Sequence, residues 1–161
     1  MAEPGPQFDL RTLFTTTTVG ELTLTQVPML NPSDTVEQAA SAMRAVSHGC
    51  AVVCDAGKLV GIITERDLLK LLVAPEQYQS PVGQVMTRSP KTVSAAAPLF
   101  EAVRLMDHGG YRRLPVVDGQ ECPVGIVDVK SVIGYLVEQM PATIYNQAAN
   151  ALLSVREREG A

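Results

Sequence analysis

One short segment pairs a hydroxyl with a carboxylate at a spacing that suits both helix initiation and ligand binding. Thr64 and Asp67 lie three residues apart in GIITERDLL, directly after the apolar run LVGII. This pattern resembles a capping box, which satisfies free backbone N–H groups at a helix start and contributes about 1 kcal/mol. A carboxylate also offers two acceptor oxygens to a ligand. The segment alone leaves both roles open.

The remaining reactive side chains form neither a catalytic nor a metal-binding pattern. Cys50, Cys54 and Cys122 are odd in number and have no regular spacing, so we expect reduced thiols. Zinc would need more ligands than two Cys and the distant His48 and His108 readily supply. Neither a nucleophile–base constellation nor a phosphate-binding glycine loop is present in the sequence. We therefore expect no metal site, no catalytic cofactor and no enzyme activity.

Composition sets the size and environment of the fold. The chain has 161 residues, of which 46% are hydrophobic, and a net charge of −4. This length suits one compact domain or two small units that share a core. The acidic balance argues against a general nucleic-acid binder. The start MAEPGPQFDL does not resemble a secretory signal, and no apolar run approaches the length of a membrane span. We expect a cytoplasmic protein with no nucleic-acid or membrane partner.

The chain contains an internal repeat. Residues 36, 39, 40 and 43 form an apolar helical stripe, which recurs at residues 99, 102, 103 and 106. Each stripe is followed by a hairpin pattern, CAVVCDAGKLVGIIT at 50–64 and RLPVVDGQECPVGIVD at 113–128. A second helix is predicted after each hairpin. Each repeat therefore predicts a lead strand, a helix, two strands and a helix.

The repeat divides the chain into four parts. We predict an N-terminal extension at 1–18, a first repeat at 19–80, a second repeat at 81–140, and a C-terminal helix and tail at 141–161. One unit has too little core to be stable alone. The predicted fold class is α/β (α+β), with two βαββα repeats packed around a pseudo-twofold axis and a terminal helical extension.

The sequence resembles a CBS-domain pair, or Bateman module. The resemblance rests on QVMTRSPKTV, on RRLPVVD with VGIVD, and on KLVGIITERDLLKLL. It implies a regulatory fold without catalysis, similar to the stand-alone members of the family. The implied ligand is an adenosine nucleotide (AMP, ADP or ATP), with S-adenosylmethionine or an NAD-type compound as the alternative. The implied partners are a second copy in a homodimer and an unidentified regulated protein.

The resemblance places one nucleotide in a first cleft, defined by Thr64 and Asp67 together with the opposite repeat. Ribose and adenine would contact Ile62, Thr64, Asp67, Val85, Tyr111 and Arg112. Phosphates would meet Arg66, Arg88, Arg112, Arg113 and Lys130. The Asp67 carboxylate would accept hydrogen bonds from the ribose hydroxyls, and guanidinium groups bind phosphate oxygens bidentately.

A second cleft, defined by Asp128 and Ser131, departs from this pattern. Ser131 stands where the first repeat has Asp67, and a hydroxyl cannot match a carboxylate as a double acceptor. The opposite repeat faces it with His48, Gly49, Cys50 and Ala51 in place of arginine. We expect one competent site per chain, with the second cleft empty or differently used. The alternative is an interaction scaffold with a vestigial cleft, in which the terminal segments dock a partner.

Overall fold

The computed structural model describes residues 9–140. The predicted helix and tail at 141–161 and residues 1–8 of the N-terminal extension lie outside the described residues. The helices are α1 (Leu10–Thr16), α2 (Val36–Ala45), α3 (Glu65–Lys70), α4 (Val82–Val85), α5 (Leu99–Gly109) and α6 (Val129–Gln139). The strands are β1 (Met29–Leu30), β2 (Cys50–Asp55), β3 (Lys58–Thr64), β4 (Thr87–Arg88), β5 (Val93–Ser94), β6 (Arg113–Val117) and β7 (Pro123–Asp128). Short 3₁₀ segments occur at Val19–Glu21, Leu71–Val73 and Pro75–Gln79.

Four of the helices, α1, α2, α3 and α6, begin at a side-chain cap. α2 starts after Thr35, whose side chain accepts a hydrogen bond from Gln38 N–H at 3.2 Å, while Gln38 accepts one from Thr35 N–H at 2.8 Å. The predicted apolar stripes of α2 and α5 face the interior, because Val36, Ala39 and Met43 are buried like their counterparts in α5. α6 is the predicted second helix of its repeat and starts at Val129, directly after its N-cap Asp128.

Each repeat forms its own sheet, and both predicted hairpins are confirmed. The strand orders are β1-β2-β3-β4 and β5-β6-β7. β2 pairs antiparallel with β3, and β6 pairs antiparallel with β7. The lead strands β1 and β5 pair in parallel with β2 and β6. The fold is therefore the predicted mixed α and β class with two equivalent repeats.

The segments that precede the lead strands are exchanged between the repeats. β4 comes from the second repeat but joins the first sheet, with Thr87 opposite Ile62. Thr25 of the first repeat pairs with Ile126 in the second sheet, through two hydrogen bonds of 2.9 Å. Val19 is likewise buried in the core of the second repeat and Val82 in the core of the first. The two repeats therefore complete each other's sheets and cores.

A third apolar cluster joins the two sheets. It contains Cys50, Val52 and Cys54 on one face of β2, together with Ile126 of β7. Because side chains alternate across a strand, these β2 residues face away from the core of their own repeat. Val27, Cys50 and Ile126, which belong to this cluster or pack against it, also line a cavity between the repeats.

Candidate functional site

A cavity of about 530 Å³ lies between the two repeats at the second cleft. One face of α6, the segment before β1 and the loop before β2 form its walls, together with residues of β2, β6 and β7. Its lining residues are Glu21, Thr23, Thr25, Val27, Ser47, His48, Gly49, Cys50, Arg113, Ile126, Asp128, Lys130, Ser131, Gly134, Tyr135 and Glu138. The cavity therefore takes residues from both repeats.

Charged groups of both signs line this cavity. Arg113 and Lys130 supply two cations, and Glu21, Asp128 and Glu138 supply three carboxylates. Arg113 and Lys130, which the resemblance assigns to the phosphate of the first cleft, therefore line the second cleft. Lys130 is the second residue of α6, so its side chain leaves the first turn of the helix beside Asp128.

Asp128 organises the start of α6. Its Oδ1 accepts hydrogen bonds from Ser131 N–H at 2.8 Å and from the Ser131 hydroxyl at 3.1 Å. Its Oδ2 accepts a long hydrogen bond of 3.4 Å from Thr25 Oγ1. Asp128 therefore caps the helix with one oxygen and keeps lone pairs on the other available in the cavity.

Arg113 lies where the two repeats meet. It pairs with Asp128 across the β6–β7 ladder, and it also faces the thiol of Cys50 from the opposite repeat. Burial raises the pKa of the Cys50 thiol, while the Arg113 guanidinium acts on that pKa in the opposite direction. The thiol is 2% exposed and stays protonated at neutral pH.

Two further contacts fix the wall of the cavity. The Glu21 carboxylate accepts hydrogen bonds from the backbone N–H and the hydroxyl of Thr18, which lower the pKa of Glu21 and keep it ionised. The hydroxyl of Tyr135 lies 3.1 Å from Thr17 Oγ1, a bond that holds the ring at the cavity wall.

In the first cleft, the Thr64–Asp67 pair forms the predicted helix cap. Asp67 Oδ2 accepts hydrogen bonds from Thr64 N–H at 3.0 Å and from Thr64 Oγ1 at 2.8 Å. Asp67 Oδ1 forms an ion pair of 3.1 Å with Lys70. The Asp67 side chain is only 12% exposed, whereas Lys70 is 69% exposed. A ligand would have to share Oδ1 with this exposed lysine side chain.

The other predicted residues of the first cleft are divided among several surroundings. Ile62 is paired with Thr87 and packs against the inter-sheet cluster, and Val85 packs against the first-repeat core. Arg88 donates a hydrogen bond to the backbone carbonyl of Gly83. Arg88 is exposed, and so are Arg66, Tyr111 and Arg112. Of all the predicted site residues, only Arg113 and Lys130 line the cavity.

The repeat relates the two clefts position by position. Ile62 pairs with Thr87 of the opposite repeat, and Ile126 pairs with Thr25 in the same way. The predicted first-cleft positions therefore have direct counterparts in the second cleft. Thr64, Arg66 and Asp67 correspond to Asp128, Lys130 and Ser131. Sequence reasoning missed Thr23, Thr25, Tyr135 and Glu138, although the repeat offset and the helical spacing from Ser131 both point to them.

Metal sites and membrane spans are not features of the described part of the chain. Within residues 9–140, no three or more His, Cys, Asp or Glu side chains converge in a way that could hold a metal ion. The longest helices there, α5 and α6, have 11 residues each, and none has the length and hydropathy needed to cross a membrane.

Comparison with known proteins gives consistent results. The sequence profile of the CBS domain family matches residues 19–74 and again residues 82–138. The chain is 35% identical over 133 residues to CBS domain-containing protein CBSCBSPB1 of Arabidopsis thaliana, a match that covers 80% of this chain. It spans 24% of the length of that relative.

Solved structures share the fold. CBSX2 of Arabidopsis thaliana, crystallised in complex with AMP, superposes with a TM-score of 0.67 at 30% identity, covering 75% of this chain and 96% of that one. The CBS domain pair of MJ0100, in complex with 5'-methylthioadenosine and S-adenosyl-L-methionine, gives a TM-score of 0.65 at 26% identity, covering 77% and 98%. With two family matches, each on one of the repeats that complete each other's sheets, this chain belongs to the CBS domain family and forms a CBS-domain pair.

Proposed function

We propose that this chain is a regulatory module that binds an adenosine nucleotide (AMP, ADP or ATP) between its two CBS repeats. The observation that carries this proposal is the cavity of about 530 Å³, which both repeats line. This volume lies within the usual range for small-molecule sites, roughly 300–1,000 Å³. The AMP complex of CBSX2 and the adenosyl complexes of MJ0100 support this class of ligand.

The second cleft offers separate groups to the ribose and the phosphate. The free lone pairs of Asp128 suit a ribose diol, because charge-assisted hydrogen bonds are strong. Lys130 and Arg113 suit a phosphate, and so does the positive end of the 11-residue helix α6. The adenine would then lie along the segment that contains Thr25 and Val27.

The charge of the cavity favours ligands with few phosphates. Three carboxylates and two cations line it, so its local balance is negative. A nucleotide monophosphate meets enough positive charge from Lys130 and Arg113, whereas a triphosphate would also approach Glu21 and Glu138. We therefore rank AMP above ADP and ATP. S-adenosylmethionine, which carries a positive charge, is the alternative ligand that the same carboxylates favour.

The first cleft is the second proposed site. Asp67 would accept the ribose hydroxyls, with Thr64, Ile62, Val85 and Tyr111 around the nucleoside. Arg66, Arg88 and Arg112 would meet the phosphate. Binding there must compete with Lys70 for Asp67 Oδ1 and must release Arg88 from the Gly83 carbonyl. We therefore assign this cleft the weaker affinity of the two.

Regulation requires that the ligand bind two conformations with different affinity. A ligand in either cleft contacts both repeats, so its binding free energy depends on how the repeats are placed. Ligand binding would therefore change the placement of the repeats, and a second copy of the chain or a regulated protein would respond to that change.

A homodimer is the proposed assembly. Val129, Ile133 and Val137 recur at every fourth residue along α6 and are 45%, 54% and 46% exposed. Such an apolar stripe on a helix is unusual for solvent-facing surface and suits a helix of a second copy. Light scattering after size exclusion should give twice the mass of one chain for the wild type and a monomer for Ile133→Glu.

A scaffold without ligand is the competing function. A thermal-shift screen with AMP, ADP, ATP and S-adenosylmethionine separates the two, since a ligand that binds only the folded state raises the unfolding temperature. At a concentration 100 times its Kd, a ligand stabilises the protein by about 2.7 kcal/mol. A well-folded protein whose unfolding temperature responds to none of the four would exclude the binding function.

A further inference from the structure

Gly49 lies between a carboxylate of one cleft and a guanidinium of the other. A Cβ atom built on Gly49 would lie 2.6 Å from Glu65 Oε2 and 2.9 Å from Arg113 Nη1. Both side-chain ends therefore occupy the space above this one glycine. The Gly49 carbonyl also accepts a hydrogen bond of 3.1 Å from Glu65 N–H, which joins the start of α3 to the loop before β2.

Two carboxylates thus lie near Arg113. Asp128 is opposite Arg113 in the β6–β7 ladder, and the Glu65 carboxylate, on the first residue of α3, shares the space above Gly49 with the Arg113 guanidinium without forming a direct ion pair with it. The Cys50 thiol, which is kept neutral by burial, is a further titratable group close to Arg113. Arg113 also lines the second cleft, whereas Glu65 does not.

We infer that Glu65 competes with the anionic group of a second-cleft ligand for Arg113, and thereby sets how strongly this cleft prefers charged over neutral ligands. This inference rests on the proposed function, because it concerns a ligand between the repeats. Before a ligand binds, Glu65 offsets part of the charge of Arg113. When a phosphate binds, its oxygens contact the guanidinium, and the nearby Glu65 carboxylate weakens the net attraction.

The effect should depend on charge and on salt. Removing the Glu65 charge leaves Arg113 more available to a phosphate but changes nothing for a neutral nucleoside. Because Glu65 and Arg113 are both exposed, added salt screens their interaction. A role of Glu65 in folding alone would affect charged and neutral ligands equally, at every ionic strength.

Calorimetric titration with AMP and with adenosine tests the inference on the full chain. Glu65→Gln should bind AMP about threefold to tenfold more tightly than wild type at low salt, with a smaller gain at 0.5 M salt, roughly as expected for one exposed charge a few ångströms away. Its affinity for adenosine should not change. Glu101→Gln is the matched control, because Glu101 is also an exposed acid in a first helical turn and does not line the cavity.

A double-mutant cycle identifies Arg113 as the group that Glu65 acts on. In an Arg113→Ala background, Glu65→Gln should leave AMP affinity unchanged. If Glu65→Gln matches wild type or raises AMP and adenosine affinity alike, the inference is overturned while AMP binding still supports the proposed function. If folded wild-type protein binds neither compound, the proposed function fails, and the inference fails with it. A gain that persists without Arg113 also overturns the inference.

Discussion

The Ser131 hydroxyl donates a hydrogen bond to Asp128 Oδ1 at 3.1 Å, at the start of α6. The first repeat contains the same two groups in exchanged positions, since Thr64 Oγ1 donates to Asp67 Oδ2 at 2.8 Å. Each repeat therefore keeps one carboxylate and one hydroxyl three residues apart. In the second repeat, the carboxylate belongs to Asp128, the residue before α6. In the first repeat, it belongs to Asp67, the third residue of α3. Each cleft thus contains one carboxylate that could accept hydrogen bonds from a ribose.

Asp128 and Ser131 should contribute unequally to stability. Asp128→Ala removes the acceptor of Ser131 N–H and should lower the free energy of unfolding by about 0.5–2 kcal/mol, as for other N-cap losses. Ser131→Ala keeps that hydrogen bond, so we expect a much smaller loss. Urea unfolding of the two variants measures both. Equal losses would contradict the assignment of Asp128 as the cap.

Asp67 should contribute both to stability and to ligand binding, and the two contributions can be measured separately. Asp67→Ala removes two hydrogen bonds from Thr64 and should cost about 0.5–2 kcal/mol of unfolding free energy. If the first cleft holds a nucleotide, the same variant also weakens that site by about 1–3 kcal/mol, because it leaves the ribose hydroxyls unpaired. Lys70→Ala is the control, since it frees Asp67 Oδ1 and should not weaken that site. Calorimetry reports the affinity, and urea unfolding reports the cap.

Two glycines should respond oppositely to the same added methyl group. Gly134 lies inside α6, and outside that helix no atom of residues 9–140 comes within 4 Å of the place where an added Cβ would stand. Gly134→Ala should therefore stabilise the protein by about 0.5–1 kcal/mol through helix propensity. At Gly83 the added Cβ would lie 3.0 Å from the backbone oxygen of Pro32, which accepts the Gly83 N–H. Gly83→Ala should therefore lower the unfolding temperature. If Gly83→Ala leaves the unfolding temperature unchanged, the contact between Gly83 and Pro32 is not tightly packed.

Cys50 should make stability fall at high pH. Burial raises the pKa of this thiol above its ordinary 9.0, so the folded protein holds the proton more firmly than the unfolded chain does. The resulting stability is complete below pH 9.0 and is lost as pH rises towards the folded pKa. Unfolding free energies between pH 7 and 10 should fall more steeply for wild type than for Cys50→Ser, whose hydroxyl does not titrate. Parallel curves would contradict the effect.

The local sequence pattern is sufficient to predict the two repeats. It does not predict that the segment before each lead strand joins the sheet of the other repeat. The apolar stripes of α2 and α5 and the two hairpins follow from periodicity, which is a property of each segment alone. The segment around Thr25 carries no signal for which sheet it joins, because an unpaired edge exists in both repeats. Its pairing with Ile126 depends on how the two sheets pack through Cys50, Val52 and Cys54.

The lining of the second cleft could be predicted only in part. Comparing Ser131 with Asp67 one position at a time does not show that Asp128 places a carboxylate in the same cleft. Arg113 lies beside Gly49 and Cys50 of the opposite repeat, which is a tertiary relationship. Tyr135 and Glu138 could have been predicted, since they follow Ser131 at helical spacing on one face of α6.

The most direct test compares two equivalent cations, Lys130 and Arg66, each the second residue of its helix. AMP is titrated into wild type, Lys130→Ala and Arg66→Ala in a calorimeter. We predict that Lys130→Ala weakens the tighter binding event by on the order of tenfold, as for loss of a charged hydrogen bond, and that Arg66→Ala leaves this event unchanged. If Arg66→Ala weakens it and Lys130→Ala does not, or if folded wild-type protein gives no binding heat, the account of the second cleft is wrong.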